Sequence, residues 1–268
     1  MSEYETVVVH RRGAAATIVL HRPESMNAWN GQLAADVRAA VDELAADDAV
    51  RAVCLTGAGR GFSSGVDLKD LGGEGTPKTA DGKADVERLL IERYHPIITA
   101  LRTMPKPVVS AVNGPAVGIG MSMALAADLV VARESAYFLL AFVNIGLAPD
   151  GGSSLFVPER IGFTRAAELA MLGERLPAPK ALEWGLVNQV FADDEFDAGV
   201  AKLLDRLAAG ATRSYAGIKR QLNGWLFERM EGQLELEARV QQEMSESADF
   251  VEGVTAFLQK RPAEFQGR

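Results

Sequence analysis

The sequence predicts an α/β fold, and three observations carry that expectation. Short β-rich segments alternate with amphipathic helical segments through the first two thirds of the chain. The strand candidates are bounded by glycine, proline and small polar residues. From Asp194 onward the pattern is helical only, so 1–199 is expected to form the core and 200–268 a helical C-terminal region. The length of 268 residues suits one large domain with a sizeable buried core.

The elements follow in order. Thr6–His10 and Ala16–Leu20 read as strands joined by a hairpin at Arg12-Gly13. His21-Arg22-Pro23 ends the second. Asn30 is placed to cap a helix running to Ala46, with Leu33, Val37, Val41 and Leu44 on one face. Val50–Thr56 is a short buried strand, and Gly57–Gly65 is a glycine- and serine-rich loop. Gly72–Lys83 (GGEGTPKTADGK) is expected to be a mobile surface loop. Val86–Leu101 is helical, and Pro105-Lys106-Pro107 leads into the strand Val108–Val112. Pro107–Ala127 has no charged residue and is long enough for a membrane span. Asn113-Gly114-Pro115 interrupts it, so a buried strand, a turn and a glycine-rich helix start are expected instead. Leu129–Ala132, Ala136–Leu140 and Val187–Phe191 are the remaining strands. Gly210, Gly232 and Gly253 are expected to separate the C-terminal helices.

Composition excludes several functions. The charge of −8 argues against a broad nucleic-acid-binding surface. A single cysteine, Cys54, cannot form an internal disulfide, which fits a reducing compartment. Three histidines and one thiol offer little for a metal site, and none is expected. The N-terminus, Met1-Ser2-Glu3-Tyr4-Glu5, lacks the basic and apolar stretches of a secretion signal. A cytoplasmic protein without membrane attachment is expected.

Several motifs invite chemistry. Gly57–Gly61 and Gly118-Ile119-Gly120 fit neither the dinucleotide fingerprint nor the P-loop. Gly61-Phe62-Ser63-Ser64-Gly65 matches the nucleophile-elbow pattern, but a glycine loop separates Ser63 from the preceding strand and no histidine follows His95. Asp67 reads locally as a helix cap, and Asp128 as an anchor for the strand after it. Asp150, before Gly151-Gly152-Ser153-Ser154, reads locally as an N-cap. Its neighbours Phe142, Leu147 and Ala148 also allow an apolar pocket that would raise its pKa and suit it to moving protons.

Taken together, five ordered motifs resemble the crotonase (enoyl-CoA hydratase/isomerase) superfamily. They are His21-Arg22-Pro23 with Met26-Asn27-Ala28; Gly57–Gly61 with Phe62–Leu68; Pro105-Lys106-Pro107 with Ala111–Gly114; Ile145–Gly152; and Ala181–Val187 with Phe257–Lys260. The resemblance implies a spiral of repeated ββα units with a helical C-terminal part that builds trimers or dimers of trimers. It implies an acyl-CoA thioester substrate and no cofactor beyond that CoA. The backbone N–H groups of Val66 and Ile119 would hold the thioester oxygen as it becomes an enolate, each such donor contributing about 2.7–4 kcal/mol. Gly118 precedes the second donor at a helix start. Met26, Ala28, Ser64, Asp67 and Leu68 would line the CoA path. Phe257 and Lys260 would meet the adenine and phosphate end, with Arg22 and Arg261 as further phosphate candidates.

The sequence departs from the hydratases of this family. Their two glutamates correspond here to Ser122 and Phe142, neither of which is a carboxylate base. Asp150 matches the position of a catalytic Asp in some relatives, including dienoyl-CoA isomerases and ring-epoxide isomerases. The resemblance therefore implies an isomerase that shifts a 3-enoyl-CoA to a 2-enoyl-CoA through Asp150. Hydration, ring-type isomerisation and acyl-CoA binding without turnover are the alternatives.

Overall fold

The computed structural model describes residues 4–70 and 76–268. Part of the 72–83 loop therefore lies outside the described residues. Its 76–83 portion is closed by Thr79, whose N–H donates to the Lys83 carbonyl.

Strands β1 (Val7–Arg12) and β2 (Ala15–Leu20) form the antiparallel hairpin expected at Gly13. Strands β3 (Ala52–Gly57), β4 (Val108–Val112), β6 (Leu129–Arg133) and β9 (Gln189–Phe191) then add in parallel, in the order β1-β2-β3-β4-β6-β9. Parallel strands need helical crossovers and are covered on both faces, which is why β4 is buried throughout. Helix α1 (Gly31–Ala46) makes the first crossover, capped as expected by the Asn30 side chain on the Leu33 N–H at 2.9 Å. Its Leu33, Val37, Val41 and Leu44 are fully buried in the main core. The other face packs Ala52, Cys54, Val109 and Val131 against Phe196, Leu204 and Leu207 of α7 (Phe196–Ala209).

The second crossover is one helical run with a π-turn in it: α2 (Val86–Leu89), the π-turn Leu90–Tyr94, and α3 (His95–Thr103). The uncharged stretch 107–127 folds as β4, the two-residue strand β5 (Ala116–Val117) and α4 (Ile119–Leu125). Among the described residues no helix is long and apolar enough to cross a membrane. Strand β5 joins β7 (Tyr137–Leu139) and β8 (Leu176–Pro177) in a second, three-stranded sheet. Asp128 anchors β6 as expected, accepting from the Val108 N–H at 2.9 Å and from Lys219 Nζ at 2.8 Å.

The helical remainder comprises α5 (Ser153–Leu172), α6 (Ala178–Trp184), α7, α8 (Thr212–Leu226), α9 (Met230–Ser245) and α10 (Ala248–Gln259). Two expected breaks are corrected. Gly232 lies inside α9, and the break falls earlier, at Phe227–Arg229. Gly253 lies inside α10, where a Cβ would come within 2.6 Å of Ile145 Cα. It marks a close helix–turn approach rather than a helix end. Gly210 does separate α7 from α8.

Candidate active site

A cavity of about 810 Å³ opens between the 22–28 segment, the loop after β3, the start of α4, the π-turn and the C-terminal helices. Its walls include Val66, Ile119, Phe142, Leu147, Tyr94 and Asp150.

Two backbone donors meet there because the loops cross closely. The Trp29 N–H donates to the Gly65 carbonyl and the Asp67 N–H to the Trp29 carbonyl, both within 2.9 Å. In that parallel bridge the intervening Val66 N–H points the other way. Ile119 is the first residue of α4, where N–H groups have no intrahelical acceptor. Among the described residues neither N–H has a protein partner. Gly65 and Gly118 bring the two strands of backbone together. A Cβ on Gly65 would meet the Val117 carbonyl oxygen at 3.2 Å, and one on Gly118 would lie 4.0 Å from Gly65 Cα. Both glycines also have positive φ, so no other residue fits without strain.

Asp150 is the buried carboxyl among those lining this cavity, 4% exposed. Its Oδ2 accepts from Gln241 Nε2 at 2.8 Å, while Oδ1 is buried without a hydrogen-bond partner. Burial pushes its pKa up to about 7, against the hydrogen bond from Gln241 and with the charge of Glu237 adding to the rise. The local cap reading is corrected. The N-cap position of α5 is Gly152, and its N–H donates to Glu237 Oε2 at 2.7 Å. The Ser154 N–H donates to Glu237 Oε1 at 3.0 Å. A carboxylate from α9 thus caps α5, and the Asp150 side chain is left for the cavity. Only the Asp150 carbonyl serves locally, accepting from Ser122 Oγ at 2.8 Å and Ser153 Oγ at 2.7 Å.

The other expected residues divide. Ala28, Ser64, Asp67, Leu68, Gly118, Phe142 and Phe257 line the cavity. The Phe142 ring lies over Gly118, 3.9 Å from where its Cβ would be. Asp67 caps a turn rather than a helix, its Oδ1 accepting from the Lys69 N–H at 3.3 Å, and its Oδ2 pairs with Arg22 at 3.1 Å. Met26, Ser122 and Lys260 are not in the lining. Met26 sits beneath the glycine loop, where its carbonyl receives the Ser64 N–H at 2.9 Å. Ser122 is wholly buried beside the Asp150 carbonyl. Lys260 ends α10 in the left-handed conformation, and Arg261 is paired with Glu252 at 2.5 Å. Ser63 is fully buried, donating to the Asn27 carbonyl at 2.9 Å, which removes the nucleophile-elbow reading.

Tyr94 and Gln241 of this wall were not singled out by the sequence, nor was Glu237 behind it. Tyr94 is placed by the π-turn and stacks edge-on against Trp29, ring centroids 6.0 Å apart. Glu237 and Gln241 are four residues apart on α9 and read, in sequence, as ordinary amphipathic-helix polar positions. Among the described residues no cluster of three His, Cys, Asp or Glu side chains is arranged to hold a metal. Chemically, two free N–H donors can polarise a carbonyl oxygen while a carboxyl whose pKa is raised by burial moves a proton in the same cavity.

Comparison with known proteins agrees with this architecture. The family described as Enoyl-CoA hydratase/isomerase matches residues 10–268. A probable enoyl-CoA hydratase of Rhodobacter capsulatus is 40% identical over 99% of each chain. The 1,2-epoxyphenylacetyl-CoA isomerase of Escherichia coli is 40% identical over 98% of this chain and 99% of its own. The crystal structure of an enoyl-CoA hydratase from Mycobacterium avium subsp. paratuberculosis superposes with a TM-score of 0.88 at 37% identity, covering 98% of this chain and all of the other. The chain belongs to the enoyl-CoA hydratase/isomerase family, with the crotonase fold.

Proposed function

We propose that this acyl-CoA enzyme is an isomerase that converts a 3-enoyl-CoA to a 2-enoyl-CoA. The thioester oxygen accepts from the Val66 and Ile119 N–H groups. Asp150 Oδ1 removes a proton from C2, the electron pair moves toward the thioester, and the charge rests on the held oxygen as an enolate. The same carboxyl then delivers the proton to C4, and the double bond settles between C2 and C3. One group serves as base and then acid, so its pKa near the working pH favours both steps. Phe142, Leu147 and Leu90 around it favour proton return over water addition.

The observation that carries this reading is the buried, unpartnered Asp150 Oδ1 in a cavity that is also lined by two residues with free N–H donors. The name of the Escherichia coli relative supports isomerisation, including a ring-type reaction. The name of the Rhodobacter relative raises hydration instead, which would need Asp150 alone to activate water. Asp150→Asn tests the assignment: isomerisation is lost while binding of a CoA thioester stays within about threefold. Unchanged turnover removes Asp150 from the mechanism.

The trimer is a proposal of the same standing. Ile218, Leu222 and Trp225 form an exposed apolar stripe on α8, which supports a role for the 200–268 region in assembly.

A further inference from the structure

A helix N-terminus placed two residues after an aspartate would ordinarily recruit that aspartate. Three or more N–H groups are free there, and Asp is among the best side chains to accept from them. Here the competition is decided from 87 residues away. Glu237 takes the Gly152 and Ser154 N–H groups and the Ser154 hydroxyl, the last at 2.5 Å. One turn further along α9, Gln241 donates to Asp150 Oδ2 and accepts the Ala148 N–H at 3.2 Å. Alternate residues of the 148–154 loop are thus gripped by one face of one helix. Glu237 is 3% exposed and is not among the residues that line the cavity.

We propose that Glu237 is a positioning residue for Asp150: by capping α5 from α9 it keeps the Asp150 carboxyl off the helix end and free in the cavity, and it sets a second buried carboxyl on the Gly152 N–H, two residues along the same loop. The role of Asp150 as proton carrier is taken from the function proposed above. The titratable groups facing the pair are few. Tyr94 faces Asp150 from the π-turn, α5 presents only the hydroxyls of Ser153 and Ser154, and Gln233 Nε2 donates to Ser154 Oγ at 2.7 Å from α9. Among the described residues no Lys, Arg or His forms a salt bridge with either carboxyl. Burial raises Glu237 to about 7 as well. Two acids so placed cannot both ionise cheaply, so each makes the other a stronger proton holder.

Glu237→Gln keeps one acceptor oxygen and the shape but removes the charge. The test follows the infrared band of the protonated buried carboxyls against pH, in wild type, Glu237→Gln and Asp150→Asn, together with the pH–rate profile on a 3-enoyl thioester. In Glu237→Gln the Asp150 band should vanish at a pH lower by about one unit, and the acid limb of kcat should move with it. A weaker base should lower kcat at pH 8 by about three- to tenfold, with KM within about twofold because Glu237 is not in the cavity wall. Glu237→Asp, which keeps the charge, should return the midpoint toward wild type. A merely structural glutamate would lower the folded yield without moving either midpoint. An unmoved Asp150 midpoint in folded Glu237→Gln overturns the proposal, as does a change confined to KM. If Glu237→Gln does not fold, Asp150→Asn carries the test, since the coupling is reciprocal: the remaining Glu237 band must titrate below its wild-type pH, and an unmoved band overturns the proposal. The infrared readout needs no turnover. Shifted bands without isomerisation by wild type would support the positioning and sink the proposed reaction instead.

Discussion

Asp150→Asn should make the protein more stable at alkaline pH while it destroys activity. The reason is the burial of a charge without a cationic partner. An aspartate with a pKa of 3.8 when unfolded and about 7 when folded disfavours the folded state at high pH by about 4 kcal/mol, at 1.36 kcal/mol per pH unit. The sign is set by proton counts. Between pH 4 and 7 the unfolded aspartate has lost its proton and the folded one keeps it, so wild-type stability falls as pH rises and levels off above 7. Glu237, raised from 4.5 to about 7, does the same in wild type, and loss of its coupling to Asp150 in the variant adds to the difference in the same direction. The asparagine does not titrate. Its amide group leaves a donor unsatisfied where Oδ1 had no partner, a constant cost of about 1–3 kcal/mol. Urea unfolding of both proteins at pH 5.5 and 8.5 isolates the pH-dependent part. The stability of the variant relative to wild type should rise by at least about 2 kcal/mol over that interval. A difference that is flat or falls with pH would refute the claim that Asp150 is a desolvated acid.

The remaining predictions touch other parts of the site and fold. Gly151→Ala should abolish isomerisation and cost about 2–4 kcal/mol, because φ is +63° and the new Cβ would press on Ile119 Cδ1 and lie 2.9 Å from Ser122 Cβ; denaturant midpoints check it. Lys219→Met should cost about 3 kcal/mol by leaving Asp128 with the Val108 N–H and the more distant Arg102 at 3.4 Å; thermal unfolding measures it. Ser63 should resist a fluorophosphonate probe, and covalent labelling there would revive the nucleophile-elbow reading. The kcat/KM of wild type should rise with pH through about 7 as the Asp150 base form appears, which stopped-flow or coupled assays can follow.

The parts of this molecule that were legible in sequence are those governed by local pattern. The parallel strands β3, β4 and β6 are short apolar runs between glycine and proline, and the Asn30 cap is a nearest-neighbour event. Strands β5 and β8, two residues each, are too short to carry any pattern and form only because β7 lies between them. The expectation that Val66 and Ile119 supply backbone donors comes only from the family resemblance, since glycine-rich loops by themselves read equally as turns. Asp150 was ambiguous for a physical reason. Its neighbourhood suits both a cap and a base, and the choice is made by Glu237 and Gln241, whose reach across the fold leaves no trace in local spacing. Tyr94 depends on a π-turn, which shifts side-chain direction within a helix that otherwise reads as regular.

The most direct test of the account is incubation of wild type with a 3-enoyl and a 2-enoyl CoA thioester in deuterated water, followed by mass and NMR analysis of the products. Isomerisation through a held enolate and one carboxyl predicts interconversion of the two thioesters, deuterium confined to C2 and C4, and no gain of oxygen. A 3-hydroxyacyl product, or recovery of both thioesters unchanged and unlabelled, would contradict it.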